Sequence, residues 1–248
     1  MIRRAVRFVL QLCGQDKRNR KFRRDYAQFK ALSADDHRFA LKWEDRAPYL
    51  ADATATTGYD RHYVLHPGWA ARILAQIRPD THVDISSSLF FIATISAFVP
   101  TKYYDYRPAK LPLEGVQSDA ADLTHLPFKD EELPSISCMH VIEHIGLGRY
   151  GDPLDAAGDR KAAAELARVV ARNGHLLVVA PVGQPLIQFN AHRIYSYAQV
   201  LDMFSGLHLR EFALIPDDVP EPELIRNAPP ERVEQQTYAC GCFWFEKL

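Results

Sequence analysis

The sequence predicts a doubly wound α/β sheet with a helical extension ahead of it. Short apolar runs alternate with helical patterns from residue 82 onward, the mark of a mostly parallel sheet with helices on both faces. Residues 175–180 (HLLVVA) are apolar throughout, as a strand covered on both faces should be. The first sixty residues, by contrast, are polar and basic and show no strand pattern. The chain has 248 residues, 47% hydrophobic and 25% charged, which suits one α/β domain with an extension and excludes wholesale disorder.

At the start, Ile2, Val6, Val9, Leu10 and Cys13 share one helical face while Arg3, Arg4 and Arg7 lie elsewhere, a short basic amphipathic helix. Arginine splits its apolar stretch and no small-residue cleavage site is clear, so no signal peptide is expected. Residues 17–60 look helical and polar. Gly58 and Pro67 punctuate the chain, and a helix over 69–77 carries Ala70, Ile73, Leu74 and Ile77 on one face before Pro79 closes it. Strands are expected at 82–86, 102–106, 115–118, 135–141, 175–180, 207–215 and 238–245, and helices at 89–98, 162–171 and 197–204. The expected division is an extension over 1–58 and a domain over 59–248.

Net charge is −1 but unevenly spread. Residues 1–30 carry ten Lys/Arg and two Asp, a net +8, which leaves −9 on the rest. Such a tail suits a peripheral contact with an anionic membrane, phosphate, or the acidic body itself. Nucleic acid is not the expected partner, because the tail has few aromatics and no stacking-module motif. The uncharged run 85–101 is too short and too polar to span a bilayer. Cys13, Cys138, Cys240 and Cys242 show no CxxC spacing, so a reducing cytoplasmic setting without structural zinc is expected. Cys240 and Cys242 face the same side of a strand and, with Trp244, are expected in the core rather than in a redox or metal site.

In such a sheet, ligands bind at the carboxyl ends of the strands. Asp84, Asp105 and Asp119 stand at or after the first three of those ends. Asp105 follows Asp84 by 21 residues, the spacing of an acid that accepts hydrogen bonds from ribose hydroxyls. The serine triplet 86–88 lacks the G-x-S-x-G frame of a nucleophile, and Gly146-Leu147-Gly148-Arg149 lacks the lysine of a P-loop. His140, Glu143 and His144 cluster after the fourth strand. With His192 they form an alternative metal-ligand set, although no metal is assigned. The glycine-rich loop 146–155 carries Arg149, Tyr150, Asp152 and Asp155, and Asn190, His192 and Arg193 come from the other side. These groups suit a polyhydroxyl or carboxylate-bearing acceptor such as a sugar.

Residues 81–181 resemble the core of class I S-adenosylmethionine-dependent methyltransferases. The stretch SDAADLTHLPFKDEELPSISCMHVIEHI is similar to that superfamily's third-to-fourth-strand segment, and AELARVVARNGHLLVVAP to the helix-turn-strand unit that follows. RIYSYAQVLDMFSGLHLREF resembles the next helix and sixth strand. HVIEHIGLGRYGDPLD, FNAHRIYS and YACGCFWFEKL resemble more closely domain-of-unknown-function family 268, a methyltransferase-like group, over about residues 55–248.

The resemblance implies a Rossmann-like sheet of about seven strands, the last antiparallel. It also implies S-adenosylmethionine as cofactor, held by Asp84, Ser86, Asp105 and Asp119. Glu143, His144 and His192 would line the reaction centre, with His144 or His192 as general base for a hydroxyl acceptor. Arg149, Tyr150, Asn190 and Arg193 would hold a small or glycan-linked acceptor. One departure stands out. The superfamily's D-x-G-x-G-x-G turn here reads Asp84-Ile85-Ser86-Ser87-Ser88-Leu89-Phe90, so Ser86, Ser88 and Phe90 fill the glycine positions. Glycine there lets backbone approach the ligand. Its loss predicts a weakened cofactor site, with Phe90 the hardest residue to place beside it. The alternative is a non-catalytic, methyltransferase-like binding protein. The expected location is the cytoplasm or the inner face of its membrane.

Overall fold

The computed structural model describes residues 2–220 and 223–248, with side chains from residue 16 onward. The chain divides into two compact units, Met1–Tyr59 and Asp60–Leu248.

In the first unit a single helix, α1 (Ile2–Leu32), runs for 31 residues. The face expected from Ile2, Val6, Val9, Leu10 and Cys13 lies outside the described side chains. Ser33 closes the helix, its hydroxyl donating to the Phe29 carbonyl at 2.9 Å. Residues 33–59 carry neither helix nor strand, so the helical reading of 17–60 holds only as far as Leu32. That stretch contains Pro48 and no repeating apolar face, so nothing favours a second helix. Its rings make local contacts instead: Trp43 meets Tyr26 edge-on at 4.8 Å, with the Arg46 guanidinium 4.4 Å from the Trp43 ring centroid. No described helix is long and apolar enough to cross a membrane.

The second unit opens with α2 (Arg61–Ile77), which starts well before the expected residue 69. Asp60 caps it by accepting the Tyr63 N–H at 3.1 Å. Pro67 lies within the helix rather than ahead of it. The buried face runs His62, His66, Trp69, Ala70, Ile73 and Leu74, so two histidines extend a core stripe. Arg78 ends the helix in the left-handed region (φ 47°), and Pro79 follows.

There follow β1 (His82–Ile85), α3 (Leu89–Ile95), β2 (Thr101–Asp105), β3 (Val116–Ala120) and β4 (Leu133–Met139). A 3₁₀ turn at Ile142–His144 leads to α4 (Gly158–Val169) and the long β5 (Val170–Val182). A hairpin, β6 (Leu186–Gln188) and β7 (His192–Ile194), precedes α5 (Tyr197–Met203), β8 (His208–Ile215), β9 (Ile225–Arg226) and β10 (Ala239–Glu246). The main sheet has the order β3-β2-β1-β4-β5-β10-β8-β9. Strands β1 to β5 pair in parallel, whereas β10 runs antiparallel to both β5 and β8. This is the expected doubly wound sheet with an antiparallel last strand, extended by β9 at one edge. The hairpin and β9 were invisible in the sequence, because two or three residues are too few to show alternation.

Alternation along β10 divides the core between the two faces. Cys240, Cys242 and Trp244 join Leu177 and Val179 of β5 beneath Trp69 and Ile73 of α2 and Phe91 and Ile92 of α3. Phe243 and Phe245 join Leu176 and Val178 beneath Leu166 and Val169 of α4 and Val200 of α5. The strand order reverses direction between β1 and β4, and that switch point opens a crevice at their carboxyl ends.

Candidate functional site

Beneath the β1–α3 turn lies a closed chain of buried polar groups. The His82 ring nitrogens each contact a serine hydroxyl at 2.8 Å, Nδ1 that of Ser135 and Nε2 that of Ser137. Ser137 donates in turn to Asp84 Oδ2. Asp84 Oδ1 accepts the Ser87 N–H at 2.9 Å, and Ser87 Oγ accepts the Met139 N–H at 3.1 Å. Burial pushes the Asp84 carboxyl up to about 6 against the pull of these donors, and pushes His82 down to about 3. Asp84 thus shapes the turn from below.

The turn itself explains how serines replace glycines. Ser86 alone adopts the glycine-like conformation, at φ +58°, with its N–H donating to the Tyr104 carbonyl at 2.7 Å. Ser88 sits at φ −59°, where any residue is comfortable. Phe90 is 89% exposed on α3 and does not crowd the turn, contrary to the expectation.

Three adjoining cavities open at the carboxyl ends of β1, β2 and β4, and Ser86 and Tyr150 border all three. The first, about 100 Å³, is walled by Tyr106, Ala121, Leu123, Val141 and Ile145. The second, about 160 Å³, contains Asp105, Tyr106 and Arg107. Asp105 Oδ1 accepts the Arg107 N–H at 2.7 Å and Oδ2 accepts the Tyr103 hydroxyl at 2.9 Å, so each oxygen keeps acceptor capacity. The third, about 660 Å³, is ringed by Tyr63, His140, Glu143, His144, Arg149, Asn190, His192 and Tyr238.

The third cavity gathers most of the ionisable groups. His140 follows β4 at φ +58°, and its Nδ1 meets Glu143 Oε1 at 3.0 Å. His144 Nε2 stands 3.7 Å from the same oxygen, while its Nδ1 donates to the Ala191 carbonyl at 2.7 Å. Glu143 Oε2 and His192 Nε2 are buried with no hydrogen-bond partner. Burial lowers His144 and His192 below the usual histidine value, with Glu143 pulling both back up, so both are neutral at neutral pH. Burial, assisted by Glu143, pushes Tyr63 up to about 12.

Loop 146–155 is built by its own aspartates. Asp152 accepts the Gly146 N–H at 2.8 Å and the Tyr150 N–H at 3.1 Å. Asp155 accepts the Ala157 N–H at 2.9 Å and pairs with Lys161 at 2.7 Å. At Gly146 (φ +80°) a Cβ would lie 2.1 Å from the Asp155 carbonyl oxygen, so no other residue fits. The loop presents Tyr150 with its ring centroid 4.7 Å from the Arg107 guanidinium and 5.1 Å from that of Arg149.

The structure therefore brings Ser86, Asp105, Glu143, His144, His192, Arg149, Tyr150 and Asn190 to one crevice. Three other expected residues stand apart. Asp84 is sealed beneath the turn. Asp119 is exposed on β3, where its carboxylate accepts the Ala120 N–H at 2.8 Å, and it lines none of the three cavities. Arg193 is buried, donating to the Ile145 carbonyl at 2.7 Å and facing Asp159 at 3.5 Å, so it anchors the 3₁₀ turn. Sequence reasoning missed Tyr63, Tyr106 and Tyr238. None belongs to a spacing pattern, and Tyr238 is marked only by opening the closing segment YACGCFWFEKL.

The fold is that of the class I S-adenosylmethionine-dependent methyltransferases. A chain from the Haloferax volcanii complex of the Trm112 methyltransferase activator is 18% identical, with a TM-score of 0.51 over 75% of this chain and 89% of that one. Geranyl diphosphate methyltransferase in complex with S-adenosylmethionine is 13% identical, with a TM-score of 0.52 over 75% of this chain and 87% of that one. The YcgJ protein of Bacillus subtilis is 14% identical, with a TM-score of 0.51 over 74% of this chain and 98% of that one. Within that fold, residues 128–218 match the family described as "Caenorhabditis protein of unknown function, DUF268", the family that the sequence motifs resemble. No curated protein matches the sequence.

Proposed function

We propose that this chain transfers a methyl group from S-adenosylmethionine to an oxygen of a small or glycan-linked acceptor. The observation that carries the reading is the junction at Ser86 and Tyr150. There an apolar cavity and an Asp105 cavity meet a third that contains two buried, unpartnered polar atoms, His192 Nε2 and Glu143 Oε2. Asp105 would accept from ribose hydroxyls, and Leu123, Val141 and Ile145 would cover a planar base. The cofactor, bound there, supplies an electrophilic sulfonium methyl.

The chain's own residues prepare the acceptor. Arg149, Tyr150 and Asn190 offer donors and an aromatic face to a polyhydroxyl group. His192, neutral at neutral pH, takes the acceptor's hydroxyl proton on Nε2 as the oxygen becomes nucleophilic. Glu143 faces the resulting cation and holds His140 in place.

Calorimetry of the full chain with S-adenosylhomocysteine tests the reading. Binding is expected, weakened in Asp105→Ala by roughly 1.5–3 kcal/mol, the value of a charged hydrogen bond. No heat and no thermal shift up to millimolar ligand would leave the non-catalytic binding protein as the better account. The specific feature favouring that second reading is Ser86, whose hydroxymethyl occupies the place where the superfamily keeps bare backbone.

A further inference from the structure

The geometry points to a transition-metal site of the zinc class, held by His62, His140 and Cys240, of which His140 lines the 660 Å³ cavity. Among the described residues, these three alone bring metal-ligating atoms together from three separate elements, all within 4.8 Å of one another and all buried. His62 comes from the first turn of α2, His140 follows β4 and Cys240 comes from β10.

Several features agree with a ligand set. His140 Nε2 lies 3.5 Å from Cys240 Sγ. Bond lengths of about 2.1 Å to nitrogen and 2.3 Å to sulfur at a tetrahedral angle give an N···S edge of roughly 3.6 Å. The other nitrogen of His140 contacts Glu143 Oε1 at 3.0 Å, the carboxylate contact that orients a ligating imidazole and leaves Nε2 with its lone pair. His66 packs edge-on against His140 at 5.1 Å, and its Nε2 is buried without a partner, so a further donor stands beside the cluster. Two imidazoles and a thiolate suit zinc and its first-row neighbours and do not suit calcium or magnesium.

Binding would release the Cys240 thiol proton to solvent and leave a fourth coordination position beyond the three ligands. It would also pin α2 to the sheet. The cavity wall formed by Tyr63 and Tyr238, which pack on His140 and His62 respectively, would then depend on the metal. The core packing expected for Cys240 and Cys242 holds for Cys242 alone on this account. The inference does not rest on the methyl-transfer reading.

The test uses the full chain, reduced and stripped with a chelator, then titrated with Co²⁺ and competed with Zn²⁺. One equivalent of Co²⁺ is expected to bind with a thiolate-to-cobalt charge-transfer band and the intense visible bands of four-coordinate cobalt. Cys240→Ser should lose the charge-transfer band and weaken zinc by about 100-fold or more, whereas Cys242→Ser should keep both. X-ray absorption of the zinc-loaded wild type should report one sulfur among nitrogen and oxygen neighbours, which decides the matter even if a variant fails to fold. Absence of the band in the wild type, its persistence in Cys240→Ser, or a sulfur-free zinc shell would each overturn the site.

Discussion

Two buried polar regions lie near the end of β4, and they differ in how completely they are satisfied. The chain from His82 through Ser137 and Asp84 to Ser87 is closed: each of its buried side-chain polar atoms has a partner. The group around Glu143 is open. The buried side-chain atoms left without partners among the described residues are His66 Nε2, Glu143 Oε2 and His192 Nε2, and all three belong to that group. A closed network stabilises the position of a turn. An open one keeps desolvated donors and acceptors at a free-energy cost that a ligand can relieve. The difference separates scaffold from site more sharply than residue type does, since both regions mix histidine with a carboxylate.

The largest expected consequence is catalytic. His192→Asn should lower methyl transfer, measured as S-adenosylhomocysteine release in an acceptor screen, by about 10²–10⁴-fold, with little change in Tm. A Tm loss as large as that of a scaffold variant would place His192 in the closed class and break the comparison.

Next comes Asp84→Ala, which strands Ser137 and the Ser87 N–H. It should cost about 3 kcal/mol, a fall of roughly 6–12 °C in Tm by calorimetry. A shift within a degree or two would mean that the closed chain does not hold the turn.

The pH response sharpens the contrast further. His82 titrates near 3 in the fold against 6.5 unfolded, so unfolding takes up a proton between those values and stability falls as pH drops through that window. Asp84 titrates near 6 against 3.8 unfolded, so folding takes up a proton there and stability rises as pH drops. Between about pH 4 and 6 the two slopes oppose each other, and the closed region contributes little pH dependence. Asp84→Asn removes one side of that balance. Its stability relative to wild type should fall by about 1.4 kcal/mol per pH unit on acidification across this window, measured by urea unfolding. Parallel pH profiles for the two proteins would show that the carboxyl does not titrate as described.

The smallest effect belongs to Ser86→Gly, at the border of all three cavities. Relief of the left-handed conformation and loss of a 3.2 Å hydroxyl contact to the Tyr104 carbonyl act in opposite directions, so stability should change by less than about 1 kcal/mol. S-adenosylhomocysteine should bind more tightly, read as a larger thermal shift. Weaker binding would instead make the Ser86 hydroxyl a ligand donor.

Much of this molecule is written locally. Apolar runs and helix faces placed the parallel strands and α3 to α5 within a few residues, because a buried strand or helix face must repeat with its own period; the exception is β5, which starts at Val170 where the helix was expected to run on to 171. The place of Asp105 in the crevice was legible from spacing, and those of Glu143, His144, Arg149, Tyr150, Asn190 and His192 from the loops that follow their strands, but Tyr63 and Tyr238 were not. Other roles were not legible. Asp84 and Asp105 look alike in the sequence, and only burial beneath Ser87 and Ser137 turns the first into scaffold. Asp119 and Arg193 were given to ligands, whereas β3's exposed edge and the Asp159 partner direct them elsewhere. The end of α1 and the early start of α2 depended on weak signals, a polar stretch without periodicity and a proline that the helix tolerates.

By itself, then, the sequence determined the sheet, its doubly wound order and the crevice where strand ends meet, since hydrophobic periodicity is a local property of the chain. The tertiary structure alone decided which polar residues share a buried space. His62, His140 and Cys240 lie 78 and 100 residues apart in sequence and meet only because α2 packs on β8 and β10 beside the end of β4. No local pattern encodes such a meeting, because the desolvation and pairing that give these side chains their chemistry come from neighbours supplied by distant strands.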